Sequence, residues 1–337
     1  MNNIFFLLLL FLSTGMLYPQ ENRVVFLEND KLKVGVLPGT GGRIVWFGLK
    51  KKGNILKAEP ALWNEPKTEK PALDEVEEYK TYHGNVVWPS PMSEWWTKQS
   101  IHPEKKVNRD RWPPDSYLIY GENQVVTQDK NSLAWQSPES PVSGIQVTQS
   151  AELEEEQLIF RVQFKNTTDS VIQWGIWFNT RLDGRARTFV KVSSEDDFYI
   201  KDEEKLINVI PWNYEDGFFT FLPQQLQNPS EKIYTKACIN AKNNSIAAFA
   251  ANQLIVIETP GIEKEYIHPD HRFVEIFNQV LPDAKEDLLE LEFHTEYRAI
   301  EPGETIEAVQ YWKAFAAKNF NTDAERIAFL RVNKNLK

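Results

Sequence analysis

Residues 143–182 read SGIQVTQSAELEEEQLIFRVQFKNTTDSVIQWGIWFNTRL. Apolar and polar side chains alternate over runs of about eight residues. The runs are broken by Glu154-Glu155-Glu156 and by Asn166-Thr167-Thr168-Asp169, both polar stretches with turn chemistry. The pattern predicts a meander of long antiparallel strands. Upstream, Arg23–Leu27, Leu32–Leu37 and Gly42–Leu49 repeat it, each ended by residues such as Glu-Asn-Asp or Pro-Gly-Thr-Gly-Gly. Downstream, strand-like runs cover Lys236–Ile239, Ser245–Phe249, Leu254–Glu258, Phe273–Val280, Leu288–Tyr297 and Thr305–Phe315. Only Thr322–Val332 has helical spacing, at Ala324, Ile327, Leu330 and Arg331. The expectation is an all-β fold: one large antiparallel sandwich spanning 21–337, closed by a short C-terminal helix. Two smaller sandwiches are the alternative.

Lys and Arg total 38 against 48 Asp and Glu, a net charge of −10, which repels phosphate backbones and anionic lipid. Nucleic acid and membrane surfaces are therefore not expected partners. Gly is sparse at 15 and Trp abundant at 11, a balance that suits aromatic binding surfaces better than glycine-rich phosphate loops. No nucleotide fingerprint is present. The apolar run Ile4–Leu12 is too short to span a bilayer and reads as a secretory signal peptide within residues 1–20, cleaved between Gly15 and Glu21. A periplasmic or secreted location is expected. Cys238 is the sole cysteine, so neither a lipid-attachment cysteine nor an intramolecular disulfide is available.

Residues 57–123 are rich in Pro, Trp and charge and poor in period, an irregular insertion of the kind that binds or covers a ligand. Trp88, Trp95 and Trp112 lie in it beside Glu94, Arg109 and Arg111, aromatic and hydrogen-bonding groups that make a sugar platform. On the strand VIQWGIWFNTR, Ile172, Trp174, Ile176 and Phe178 form a core face. Gln173, Trp177, Asn179 and Arg181 form the other, an indole with amide and guanidinium groups suited to a sugar's C–H face and hydroxyls. The run HRFVEIFNQV, if a strand throughout, sets His271, Phe273, Glu275, Phe277 and Gln279 opposite Val274, Ile276 and Val280.

Several motifs carry a resemblance. Val34-Gly35-Val36-Leu37-Pro38, Gly41-Gly42-Arg43-Ile44 and Gly53-Asn54-Ile55-Leu56 open the chain. Glu290-Leu291-Glu292-Phe293, Ile300-Glu301-Pro302-Gly303-Glu304 and Gln310-Tyr311-Trp312 close it. In this order they resemble the opening and closing hairpins of galactose mutarotase-like (aldose 1-epimerase) domains. The segment His83-Gly84-Asn85-Val86-Val87-Trp88-Pro89-Ser90-Pro91, with Trp95 and Trp112-Pro113-Pro114-Asp115, is similar to a bacterial branch of that superfamily defined by fold rather than by reaction. The resemblance implies a β-supersandwich and a sugar-like ligand.

It also implies a late-strand general base. Gln279-Val280-Leu281-Pro282-Asp283 resembles the tail of that motif, with Phe277 at the position of the Glu and Glu275 two residues earlier on the same face. Phe178-Asn179 resembles a second motif, in which Gly175 replaces the acid His. His83 or the His268-Pro269-Asp270-His271 turn is left to supply the acid, and His83 with Glu275 is the preferred catalytic pair. Trp88, Trp95, Trp112, Trp177, Asn179, Arg181, His271 and Gln279 are the expected substrate contacts. The His268–His271 turn lacks an evident third ligand, so no metal and no cofactor are expected. His102 and His294 read as surface or packing residues, and the acidic runs near 194–205 as exposed turns. Two functions follow: a sugar-acting enzyme of the aldose epimerase type, or a non-catalytic carbohydrate-binding protein. An aromatic protein-interaction scaffold is a third.

Overall fold

The computed structural model describes residues 23–66, 69–74, 79–201, 209–222 and 232–332. The signal-peptide segment 1–20 and the acidic residues 202–205 lie outside them. The described strands form two large antiparallel sheets packed face to face. In the first, neighbouring strands are Val25–Glu28, Leu32–Leu37, Arg43–Leu49, Asn85–Ser90, Ile172–Asp183, Leu288–His294, Val274–Val280, Ile233–Ile239 and Phe198–Lys201. The second runs from Trp212–Glu215 through Arg187–Lys191, Gln253–Glu258, Thr305–Ala316 and Gln157–Asn166 to Gln124–Gln128.

Aromatic rings fill the space between the sheets. Trp312 meets Phe47 at 5.3 Å and Phe160 at 6.1 Å, while Phe160 meets Phe178 at 5.9 Å, edge-on geometries favoured by ring quadrupoles. The predicted meander needs one correction. Ile145–Leu153 pairs with Gln157–Asn166, but Ile172–Asp183 crosses to the first sheet and pairs with Asn85–Ser90 and Leu288–His294. Its core face, Trp174, Ile176 and Phe178, thus packs across the sandwich against the strand that precedes it.

At the Gly-Gly-Arg turn, Gly41 and Gly42 have φ of +65° and +59°. A Cβ on Gly42 would lie 2.4 Å from Trp135 Nε1, so glycine is required on both conformational and steric grounds. Arg43 then turns inward, buried, and donates to the Thr40 and Ile119 carbonyls.

The stretch expected to be irregular contributes a strand to the first sheet. Asn85–Ser90 pairs along its length with Ile172–Asp183, but touches Arg43–Leu49 only at Ile44↔Asn85. Pro89 therefore sits where a missing N–H breaks no ladder. Elsewhere in 57–123, Tyr79, Met92, Trp95 and Trp112 lie over the outer face of the first sheet, around Trp88 and Trp177. Asp323–Val332 is helical as the spacing predicts, and buries Ile327 and Leu330.

Candidate functional site

Strand register assembles the site on the outer face of the first sheet. Glu275 lies opposite Glu292 on one side and Cys238 on the other, Glu292 lies opposite Asn179, Glu290 opposite Arg181, and His294 opposite Trp177. Directly opposed residues share a face, so alternate positions of four strands converge.

The centre is an ionic cluster around Glu275, which is fully buried. Lys236 Nζ lies 2.8 Å from Glu275 and 3.0 Å from Glu292. The Arg272 backbone N–H donates to Glu275 at 2.9 Å, and the Cys238 thiol approaches it at 3.6 Å. His271 Nδ1 stands 3.3 Å and His294 Nε2 3.5 Å from its other oxygen. Burial opposes ionisation of Glu275, but Lys236 and the two imidazoles hold its carboxyl well below the usual range. Burial and the neighbouring Glu275 charge push Glu292 up. Burial, then the Glu275 charge, pushes the Cys238 thiol up to about 12, so it remains a donor.

Next to this cluster opens a cleft of about 670 Å³ lined by Trp88, Trp112, Trp177, Tyr79, Lys236 and Glu290, among others. That volume suits a small organic ligand. Trp177 stacks over the cluster, 5.0 Å from His294 and 5.4 Å from His271, with Trp88 edge-on at 4.8 Å. The Trp88 and Trp177 indole N–H groups have no hydrogen-bond partner among the described residues. Glu290 accepts from Arg181 Nε at 2.9 Å. Burial raises the Glu290 pKa while Arg181 opposes the rise. A larger cavity, about 830 Å³, adjoins at Glu59, His83 and Lys285. Its Arg185 and Arg187 are paired with Asp183 and Asp323, and it lacks the indole walls.

Residues 22–315 match the family model described as a domain of unknown function, DUF4380. The chain belongs to that family. No curated protein matches the DUF4380 chain in sequence. Among solved structures it is similar to an aldose 1-epimerase candidate from Escherichia coli K12, at 15% identity and TM-score 0.55, covering 87% of this chain and 99% of that one. A galactose mutarotase-like protein from Lactobacillus casei matches at 10% identity and TM-score 0.52, covering 87% and 100%. One from Clostridium acetobutylicum matches at 13% and 0.50, covering 87% and 95%. At such identities the likeness establishes the fold: a mutarotase-like β-sandwich.

The DUF4380 chain rearranges the expected roles. Glu275 faces the predicted side but is sealed behind Lys236 and the two His rings. Its side-chain partners are His271, His294, Lys236 and Cys238 rather than His83. His83 lines the cleft from a bridge with Ala58, at φ +54°. Burial and then the cations Arg181, Lys57 and Arg43 depress its pKa to about 3. A neutral imidazole at physiological pH is a weak proton donor, and His83 is not among the side-chain partners of Glu275 in the described residues.

Trp88, Trp112, Trp177 and Gln279 line the cleft as expected contacts should. Trp95 does not: it is buried, donates to the Pro89 carbonyl at 2.6 Å, and stacks behind Trp177 at 6.0 Å. Asn179, Arg181 and His271 are buried beneath the lining, with Arg181 acting through Glu290 and Tyr79. His268 packs on Tyr297, away from Glu275. Phe273 faces the core, against Phe293 at 5.6 Å, because the strand begins only at Val274.

His294, read from the sequence as a packing residue, belongs to the central cluster. Lys236, Cys238, Glu290 and Glu292 carry no site role in the sequence reading, yet all four stand at or beside the cleft. Their signal is weak: in Leu289-Glu290-Leu291-Glu292-Phe293-His294 every second residue is polar or ionisable, a pattern that a sheet with one solvated face would also produce.

Proposed function

We propose that the cleft binds a carbohydrate, with Trp88, Trp112 and Trp177 against the sugar's C–H faces and Glu290, Lys236 and Gln279 on its hydroxyls. The observation that carries the reading is the grouping of three indoles in a single cleft with charged side chains of both signs, of which Glu290 and Lys236 are the buried ones; indole faces and convergent charged hydrogen-bonding groups together are what a sugar ring requires. The mutarotase-like fold of the solved structures agrees with it. A second reading, sugar-acting acid–base chemistry of the aldose epimerase type, is favoured by Glu290. Of the carboxyls lining the cleft it is the buried one, and its pKa is raised.

Trp112 is 47% exposed at the cleft, so its removal should leave the fold intact. Trp112→Ala is expected to weaken sugar binding roughly tenfold, from lost ring contact, read by titration against a panel of mono- and oligosaccharides. Absence of binding across the panel by the unsubstituted chain would sink the proposal. Exchange NMR on the same samples separates the two readings: anomer exchange accelerated by the chain and lost in Glu290→Gln supports the enzyme, and binding without acceleration supports the binding protein. We propose further that the chain acts outside the cytoplasm, a reading supported by the apolar Ile4–Leu12 run. An exported chain is expected to start between Gly15 and Glu21, and an N-terminus retained at Met1 after expression would remove that part of the reading.

A further inference from the structure

We infer that His271, Glu275 and His294, with Glu292 as fourth ligand, form a closed site for a divalent transition-metal ion beneath the cleft. This goes beyond the carbohydrate reading and stands apart from it. One ligand atom from each of His271, Glu275 and His294 falls within 4.8 Å of the others. His271 Nδ1 and His294 Nε2 lie 3.3 and 3.5 Å from the same Glu275 oxygen, and His294 Nε2 lies 3.6 Å from Glu292 Oε2. Bonds of about 2.0–2.1 Å in tetrahedral geometry place neighbouring ligands roughly 3.4 Å apart. The three separations at Glu275 and Glu292 already match that spacing, and the widest, within 4.8 Å, closes when one imidazole turns toward the ion.

Two further observations point the same way. His294 Nε2 and Glu292 Oε1 are buried and make no hydrogen bond among the described residues, an arrangement that costs stability unless a cation or proton is shared. His294 Nδ1 faces Ser90 Oγ at 3.2 Å, the outer hydrogen bond that commonly orients a metal-bound imidazole. The two rings stack at 3.9 Å and 17°, so binding one ion through both in-plane lone pairs requires one ring to turn. Of the His268–His271 turn only His271 takes part, joined by Glu275 from the following strand and by Glu292 and His294 from its neighbour. Two imidazoles and two carboxylates suit Zn²⁺ or a similar ion better than Ca²⁺ or Mg²⁺. Burial on all sides makes the site structural, clamping the turn at His271 to the Leu288–His294 strand. Lys236 contacts the same carboxylates, and each carboxylate has enough lone pairs to serve both cations.

The test uses the purified chain, stripped with chelator and titrated with Zn²⁺ by calorimetry and with Co²⁺ by visible absorption. One ion per chain is expected, with Co²⁺ bands of a four-coordinate nitrogen–oxygen site and a Tm that rises with Zn²⁺. Ser90→Ala should weaken uptake about tenfold, and His294→Gln should abolish it. Lys236→Met should tighten it by removing a competing cation. No saturable uptake and no Co²⁺ band in the unsubstituted chain would overturn the inference, leaving Lys236 as the cation of the cluster. Uptake unchanged in both Ser90→Ala and His294→Gln would overturn it as well, by placing the ion elsewhere. If His294→Gln fails to fold, Ser90→Ala and the Co²⁺ spectrum of the unsubstituted chain still decide.

Discussion

Lys236→Met is expected to lower the unfolding free energy by about 3–5 kcal/mol with chelator present, the cost of stripping one partner from a buried ion cluster. Glu275 and Glu292 are opposed across two adjacent strands, both fully buried, and the ammonium sits between them at 2.8 and 3.0 Å. Methionine fills a similar volume with no charge, so packing loss contributes little. What remains is like-charge repulsion at low dielectric, relieved only if one carboxyl takes a proton. Glu292 is the one to take it, since burial and Glu275 already raise its pKa. Adding Glu292→Gln to Lys236→Met should therefore recover a large part of the loss, and urea denaturation of the two single variants and the double variant measures the coupling directly. Losses that simply add would show that Lys236 does not hold these carboxylates together, and the low pKa of Glu275 would lose its main cause.

The sandwich was legible because its evidence is local and repeated. Alternation in Ile145–Leu153 and Gln157–Asn166, and helical spacing in Asp323–Val332, each fix an element from its own residues. The Gly41-Gly42-Arg43 turn was equally plain, since a glycine pair with positive φ has few alternatives. Which strands adjoin is another matter. Ile172–Asp183 left the expected meander because its partners, Asn85–Ser90 and Leu288–His294, lie about a hundred residues away on either side.

The site depends on that long-range register, which explains which of its residues could be placed from the sequence and which could not. Glu275, Trp88, Trp177 and Gln279 could be placed on the right face from their own strands. The link from Glu275 to His294 and Lys236 could not, because it exists only once three strands are laid side by side. Trp95 failed for a complementary reason: composition marks an aromatic cluster, but not which ring faces outward and which supports it from behind.

His83 supplies the other large effect, and its sign is set by a depressed pKa. In the folded chain burial, reinforced by Arg181, Lys57 and Arg43, holds the imidazole at about 3, whereas an unfolded chain titrates near 6.5. As pH falls below about 6.5 the unfolded state takes up a proton that the folded state refuses. The stability His83 contributes is thus complete above 6.5 and is lost progressively toward 3. Allowing for its partial exposure, the loss should reach about 2 kcal/mol by pH 4. His83→Asn isolates it, because asparagine tolerates φ near +54° better than most residues and does not titrate. Urea unfolding of both chains between pH 7.5 and pH 4 should give curves that diverge, the unsubstituted chain losing the additional 2 kcal/mol. Parallel curves would mean that His83 titrates normally in a wetter cleft wall, and the reason for denying it the role of general acid would go with them.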